Sequence, residues 1–168
     1  MKLTATYKGI IIGLLMALVC LFLFYGMKLP HDDPSQLIVI VIYIIGIIWS
    51  LISVHRSSDE LTFKNYFSEG FKTFIVMTLI IVLFKGFFFY FNPQIVEQFI
   101  AQNEAAVLKE GNHTLPEIKQ NSEQLKNVFM PMTLSLTTVT YMVFGALTSV
   151  IGGLFLKSSR SASKVKQA

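Results

Sequence analysis

The sequence predicts an all-α integral membrane protein with four transmembrane helices, an interfacial helix before the third, and an extracytoplasmic helical hairpin between the third and fourth. Two observations predict this class. Hydrophobic residues make up 53% of the 168 positions and charged residues 14%, whereas about 25% of the residues in a soluble domain are charged. Four apolar stretches are also long enough for a helix to cross a hydrocarbon core about 30 Å thick.

The four predicted spans cover residues 9–27, 37–54, 73–91 and 132–156. Three of them contain no charged residue, and the third contains only Lys85. At about 20 residues each, the spans use roughly 80 positions, which leaves no room for a separate soluble domain. We therefore expect residues 1–168 to form a single membrane domain.

Residues 61–72, just before the third span, have the periodicity of an amphipathic helix. Polar residues, including Glu69, take one face, and the apolar residues of the other face recur largely at steps of three and four: Leu61, Phe63, Tyr66, Phe67 and Phe71. This pattern predicts an interfacial helix over residues 61–72 on the cytoplasmic surface. It would serve as an aromatic membrane anchor or, alternatively, as a docking helix for a partner.

Residues 93–127 form the sizeable connection between the third and fourth spans. Asn92 followed by Pro93 is typical of a helix start, and Gly111 is a good stop. Thr114 and Glu117 have the spacing of a capping box. We predict helices over residues 93–110 and 115–127. Five glutamates against three lysines make this hairpin acidic, which indicates either a solvated face or cation capture.

Small residues spaced three or four apart predict close helix packing, because they let backbones approach each other in lipid. Such packing serves the bundle of one chain or a dimer. The residues lie on the first, second and fourth spans: Gly9, Gly13, Ala17, Gly46, Ser50, Gly145, Ser149 and Gly153.

The distribution of lysine and arginine predicts the orientation. Nine of these residues fall in the N-terminal tail, the connection between spans two and three, and the C-terminal tail, whereas four fall in the other two connections. The positive-inside rule therefore places both termini in the cytoplasm, as four spans require. The net charge of +4 follows from this bias, so no nucleic-acid partner is implied.

Lys85 is the one charge inside a predicted span. Its position near the outer end of the third span allows the ammonium to snorkel toward the headgroups. The alternative is that Lys85 faces the bundle and meets hydroxyl groups at similar depth on the fourth span, or binds an anionic headgroup there. The candidate partners are Thr137, Thr138 and Tyr141.

No catalytic, cofactor-binding or metal-binding residues are predicted, and we expect a protein that is not an enzyme. The three histidines, His31, His55 and His113, lie in separate connections, and no His-Glu-x-x-His or phosphate-loop motif is present. The single cysteine, Cys20, has no partner in the chain for a disulfide.

Several short motifs, in this order and spacing, resemble a known family. They are Leu61-Thr62-Phe63 with Tyr66-Phe67 and Gly70-Phe71, then Tyr90 through Asn92-Pro93, Lys109-Glu110-Gly111, Phe129-Met130-Pro131, and a glycine-rich fourth span with a basic tail. Across essentially the whole chain, the sequence resembles the bacterial membrane family catalogued as domain of unknown function 4199. The resemblance implies a four-helix protein of the bacterial cytoplasmic membrane, with no activity, catalytic residue or ligand to transfer. Lys85 is not part of the family pattern.

Two functions from different classes fit these observations. The first is a non-enzymatic scaffold or accessory subunit, which contacts another envelope membrane protein through the outer hairpin or the inner aromatic helix. The second is a small lipid-binding or transport protein that uses Lys85 as an intramembrane anion contact. Membrane lipids are expected partners in both cases, and oligomerisation is compatible with both.

Overall fold

The computed structural model describes residues 3–27, 37–57, 61–111 and 114–165, with side chains through Arg160. The connection at residues 28–36, which carries Lys28, lies outside the described residues, as do His31 and His113. Within the described part, the chain forms five α-helices and no β-strand: α1 (Ala5–Leu21), α2 (Leu37–His55), α3 (Phe63–Phe91), α4 (Pro93–Glu110) and α5 (Leu115–Val165). A short π-helical segment, Phe22–Gly26, continues α1.

Four of the helical segments are long and apolar enough to cross a membrane: Ala5–Gly26, Leu37–His55, Phe63–Phe91 and Leu115–Arg160. The last three of them contain a predicted span in full, and the first ends at Gly26, one residue before the end of its predicted span. The prediction of an all-α multi-pass membrane protein with four spans is therefore confirmed.

Helix α3 is one continuous helix where the sequence predicted two elements, an interfacial helix and the third span. Residues 63–72, most of the predicted interfacial helix 61–72, are the first turns of the same helix that contains the third span. Gly70 lies inside α3, and a Cβ added there would lie 2.5 Å from the Ser149 hydroxyl oxygen. This close packing, together with the burial of Tyr66 and Thr73, holds the segment in one continuous helix.

Helix α5 also joins two predicted elements, the second hairpin helix and the fourth span. It continues through Pro131 without interruption. Proline removes one backbone donor and disfavours a helix interior, but neighbouring buried residues such as Phe129 keep packing through this stretch. The sequence pattern therefore identified both helical segments but placed a boundary between them that the structure does not have.

The helix ends of the hairpin agree with the prediction in part. Helix α4 begins at Pro93 as expected, but the Asn92 side chain makes no cap hydrogen bond, and its amide instead donates to the Phe88 carbonyl at 2.8 Å. Gly111, with φ 70°, is the C-cap residue of α4. A left-handed residue at this position is typical of a helix C-terminus and favours glycine. The backbone N–H of Thr114 donates to a Glu117 carboxylate oxygen at 2.8 Å, which is half of a capping box.

The chain divides into two compact units. The first comprises Met1–Ile81 and Thr138–Ala168, and the second comprises Val82–Thr137. The core of the first unit is built from large side chains with almost no exposure, including Met16, Tyr43, Ile47, Tyr66 and Phe74. In the second unit, Phe129 packs edge-on against Phe89 at 5.5 Å between ring centroids and lies 5.3 Å from Phe99.

Candidate functional site

Lys85 lies in the second unit and is half-buried. Its ammonium nitrogen donates to the Thr137 hydroxyl on α5 at 3.5 Å, which is long for a hydrogen bond. Thr137 itself is 7% exposed. The structure therefore brings together two of the four residues that the sequence singled out, and an anion at this position stays a prediction.

The other two candidate residues, Thr138 and Tyr141, belong to the first unit. The Tyr141 carbonyl accepts a 2.7 Å hydrogen bond from the Tyr43 hydroxyl. The two rings pack edge-on, with 4.8 Å between their centroids. The Thr78 hydroxyl lies 3.1 Å from the Tyr43 oxygen. Since the Tyr43 hydroxyl donates its only proton to the Tyr141 carbonyl, the Thr78 hydroxyl is the donor in its hydrogen bond with Tyr43. Tyr141 therefore takes part in a buried contact among α2, α3 and α5.

The most strongly buried charge in the described chain was not predicted as a site. Lys8 on α1 forms an ion pair with Glu69 on α3 at 2.8 Å, with side-chain exposures of 3% and 18%. The sequence placed Glu69 on the polar, outward face of the interfacial helix. That assignment does not hold, because Lys8 of α1 and the Ser50 hydroxyl of α2 both contact the carboxylate.

Hydroxyl groups complete this ion pair. Ser50 of α2 donates to the same Glu69 oxygen at 3.2 Å and lies 2.8 Å from the Thr73 hydroxyl. Thr73 in turn donates to the Glu69 carbonyl at 2.9 Å. We call Lys8, Ser50, Glu69 and Thr73 the polar cluster. It links α1, α2 and α3 of the first unit in a largely apolar surrounding, where buried charges need such partners.

One pattern in the sequence points to the polar cluster. Lys8 immediately precedes Gly9, and Ser50 lies one turn after Gly46. Small residues mark close helix contacts, so the polar residues next to them face neighbouring helices. A lysine and a glutamate at such contacts can form an ion pair. Because 61 residues separate Lys8 from Glu69, the sequence does not indicate that these two residues pair.

The predicted packing residues lie at close approaches within the first unit. A Cβ on Gly9 would lie 2.9 Å from the Thr73 carbonyl oxygen, and one on Gly13 would lie 2.8 Å from Ile80. Ala17 is also buried. Helix α1 therefore contacts α3 through its small residues, with little space for a larger side chain.

The same geometry recurs on α2 and α5. A Cβ on Gly46 would lie 2.7 Å from Ile12, one on Gly145 would lie 2.5 Å from the Tyr43 hydroxyl, and one on Gly153 would lie 3.1 Å from Tyr66. Ser149 is fully buried, and its hydroxyl has no hydrogen-bond partner among the described residues. The hydroxyl is directed at Gly70.

Gly86 in the second unit is different from these glycines. The nearest atom to a Cβ added there is 3.7 Å away, on Leu134, so the position has room for a side chain. An open groove of about 400 Å³ lies at this point between α3 and α5. We call it the Gly86 groove; residues that line it include Val82, Leu83, Gly86, Phe87, Met130 and Leu134.

A second, charged cleft of about 280 Å³ lies between α4 and the first turns of α5. We call it the hairpin cleft, and its polar lining consists of Glu97, Glu104, Lys119, Ser122, Glu123 and Lys126. Lys126 contacts Glu97 at 3.4 Å, and these side chains are 59% and 62% exposed. No group of three His, Cys, Asp or Glu side chains in the described ranges is placed to hold a metal ion.

Comparison with known proteins identifies a family. The model of the family described as "Protein of unknown function (DUF4199)" matches residues 7–158. Searches of curated proteins and of solved structures return no match. Since the match covers most of the chain, from the first turn of α1 to the basic end of α5, the protein belongs to the DUF4199 family of proteins of unknown function.

Proposed function

We propose that this protein is a non-enzymatic accessory subunit or scaffold of the bacterial cytoplasmic membrane, with both termini in the cytoplasm. The excess of lysine and arginine before the first predicted span, between the second and third, and after the fourth supports this orientation. In this orientation, α4 and the first turns of α5 form an extracytoplasmic hairpin. The N-terminal turns of α3 lie at the cytoplasmic surface.

The observation that carries this proposal is the exposure of two leucines near the hairpin tip. Leu108 and Leu115 flank the Gly111 turn and are 50% and 64% exposed. They stand next to charged residues such as Lys109 and Glu110. Exposed apolar side chains beside charged residues are suited to a contact with another protein, and the tip is the part of the hairpin most distant in sequence from the spans.

Copurification tests the accessory role. The wild-type protein, extracted from native membranes in gentle detergent, is expected to carry a stoichiometric envelope protein. Changing Leu108 and Leu115 together to aspartate should remove that partner and leave the helical content unchanged. The matched control changes two exposed polar residues of the same helices, Gln102 and Gln120, to aspartate, and should retain the partner. Equal partner recovery with both double variants would contradict the assignment to the tip.

Cysteine labelling tests the orientation separately. In a Cys20→Ser background, a cysteine at Gln102 should react with an impermeant maleimide in intact spheroplasts. A cysteine at Ser158 should react only after lysis. The reverse pattern would contradict the proposed orientation without bearing on the partner.

A second candidate function, the binding or transport of an anionic lipid, is favoured by the contact between Lys85 and Thr137. A half-buried ammonium next to a buried hydroxyl offers two donors to a phosphate or carboxylate group. Lys85→Leu is expected to abolish retention of phosphatidylglycerol during purification. Lys72→Leu, which changes an exposed lysine of the same helix, should not. Equal retention in both variants would remove the support for this function.

A further inference from the structure

One stripe of α5 connects the hairpin cleft to the Gly86 groove. Lys119, Ser122, Lys126, Met130 and Leu134 follow one another at steps of three or four residues, so they lie on one face of the helix. The first three line the hairpin cleft, and the last two line the Gly86 groove. The charged cleft and the apolar groove therefore follow each other along the same helix face in the second unit.

The groove has the chemistry of a site for a hydrocarbon chain. It lies within two candidate spans, and its walls are aliphatic and aromatic. Gly86 opens its floor without being needed for helix packing, since a Cβ there would meet only Leu134 at ordinary contact distance. Within a bilayer, an acyl chain that lies in such a groove gains packing contacts that a flat helix surface does not offer.

The cleft supplies opposite charges at the end of the groove that lies toward the hairpin. Lys126, one turn before Met130, has its ammonium nitrogen 3.4 Å from a Glu97 carboxylate oxygen. Both side chains are largely exposed, so their mutual ion pair is weak and exchanges readily for other partners. An ammonium next to a carboxylate is complementary to a headgroup that carries a phosphate and an ammonium of its own.

An anionic headgroup fits the cleft less well. Three glutamates, Glu97, Glu104 and Glu123, line it against two lysines. A lipid with a net negative charge would bind Lys126 through its phosphate and displace Glu97. It carries no cation to replace Lys126 as the partner of that carboxylate. A zwitterionic headgroup with a primary ammonium supplies that cation and also donates hydrogen bonds to Glu97.

We propose that the second unit binds a phosphatidylethanolamine molecule, with one acyl chain in the Gly86 groove, its phosphate at Lys126 and its ammonium at Glu97. This site goes beyond the proposed accessory role and does not use Lys85. It gives the hairpin a fixed lipid contact at the membrane surface.

Lipid competition tests the proposal. The full-length protein is equilibrated with vesicles of equal phosphatidylethanolamine and phosphatidylglycerol content, and bound lipid is counted by native mass spectrometry. Gly86→Leu fills the groove and should lower bound phosphatidylethanolamine about tenfold, which corresponds to about 1.4 kcal/mol of binding free energy. Leu83→Trp, which narrows the groove from its exposed wall, should act in the same direction. The matched control, Val143→Leu, enlarges an exposed α5 residue outside the groove and should leave binding unchanged.

A second variant separates the headgroup from the chain. Changing Lys126 and Glu97 together to glutamine should abolish the preference for phosphatidylethanolamine over phosphatidylglycerol. Circular dichroism and size-exclusion chromatography check that each variant is folded.

Unchanged phosphatidylethanolamine binding in folded Gly86→Leu and Leu83→Trp proteins would overturn the proposal, and so would a headgroup preference that survives the glutamine pair. If the bound lipid is phosphatidylglycerol and only Lys85→Leu removes it, the Lys85 function is supported and the groove site is refuted. Loss of a copurifying protein instead of a lipid on Gly86→Leu would assign the groove to a partner and equally refute the lipid site.

Discussion

Replacing Lys8 with methionine is expected to destabilise the protein by about 3 kcal/mol. The substitution keeps an unbranched side chain of similar length and removes the cation that faces Glu69 at 2.8 Å. Breaking a buried ion pair on one side costs about 3–5 kcal/mol, because the remaining charge is left uncompensated. Glu69 keeps 18% exposure and the hydrogen bond from Ser50, so the lower end of that range applies.

A double variant distinguishes the ion pair from simple packing. When Glu69 is also changed to methionine, no buried charge remains, and the pair is replaced by apolar side chains of similar size. Such replacements are often neutral or stabilising. We therefore expect Lys8→Met with Glu69→Met to lie within about 1 kcal/mol of the wild type, although each single variant is clearly less stable.

Reversible unfolding in mixed detergent and dodecyl sulfate micelles, followed by circular dichroism at pH 7, measures these differences. A loss of about 3 kcal/mol appears as a change of roughly 150-fold in the unfolding equilibrium constant. Lys126→Met is the matched control, because its partner Glu97 is 3.4 Å away and both side chains are mostly exposed. The loss in that case should stay within about 0.5 kcal/mol.

Two results would refute this reasoning. If Lys8→Met is as stable as the wild type, Glu69 does not depend on its cation. If the double variant loses the sum of the two single losses, the side chains are not coupled, and the polar cluster has no role in stability beyond its separate hydrogen bonds.

Three further predictions concern the packing and the caps, and the same unfolding assay measures each of them. Gly145→Ala should lower the free energy of unfolding by about 1–3 kcal/mol, because its Cβ would lie 2.5 Å from the Tyr43 hydroxyl. Gly86→Ala, whose Cβ would lie 3.7 Å from the nearest atom, should instead stabilise the helix by about 0.5–1 kcal/mol. Equal effects of the two variants would refute the packing assignment. Tyr43→Phe should cost about 1 kcal/mol through loss of the 2.7 Å bond to the Tyr141 carbonyl, and no loss would show that this bond has no net value. Gly111→Ala should cost about 1 kcal/mol because φ is 70°, and an unchanged stability would contradict the left-handed cap.

Sequence signals within one or two turns predicted those features of the helices that depend on neighbouring residues. The bounds of α4 follow from Pro93 and Gly111, since helix start and stop signals depend on residues within one turn. The four apolar segments follow from composition alone, since a membrane span needs about 20 apolar residues. The segments predicted just before the third and fourth spans are continuous with those spans in α3 and α5, because polar residues on a helix surface do not end a helix when its other face stays packed.

The sequence by itself determined that this is an all-α, four-span membrane protein of a recognisable family, because hydrophobic length and capping residues act over a few turns of chain. Only the tertiary structure decided that Lys8 pairs with Glu69, 61 residues away in the sequence, and that Lys85 contacts Thr137. It also decided that Gly86 lines an open groove, whereas Gly145 lies at a close helix contact. These features depend on which helix faces meet, and the pairing of faces is set by side-chain packing among distant segments, which no local pattern records.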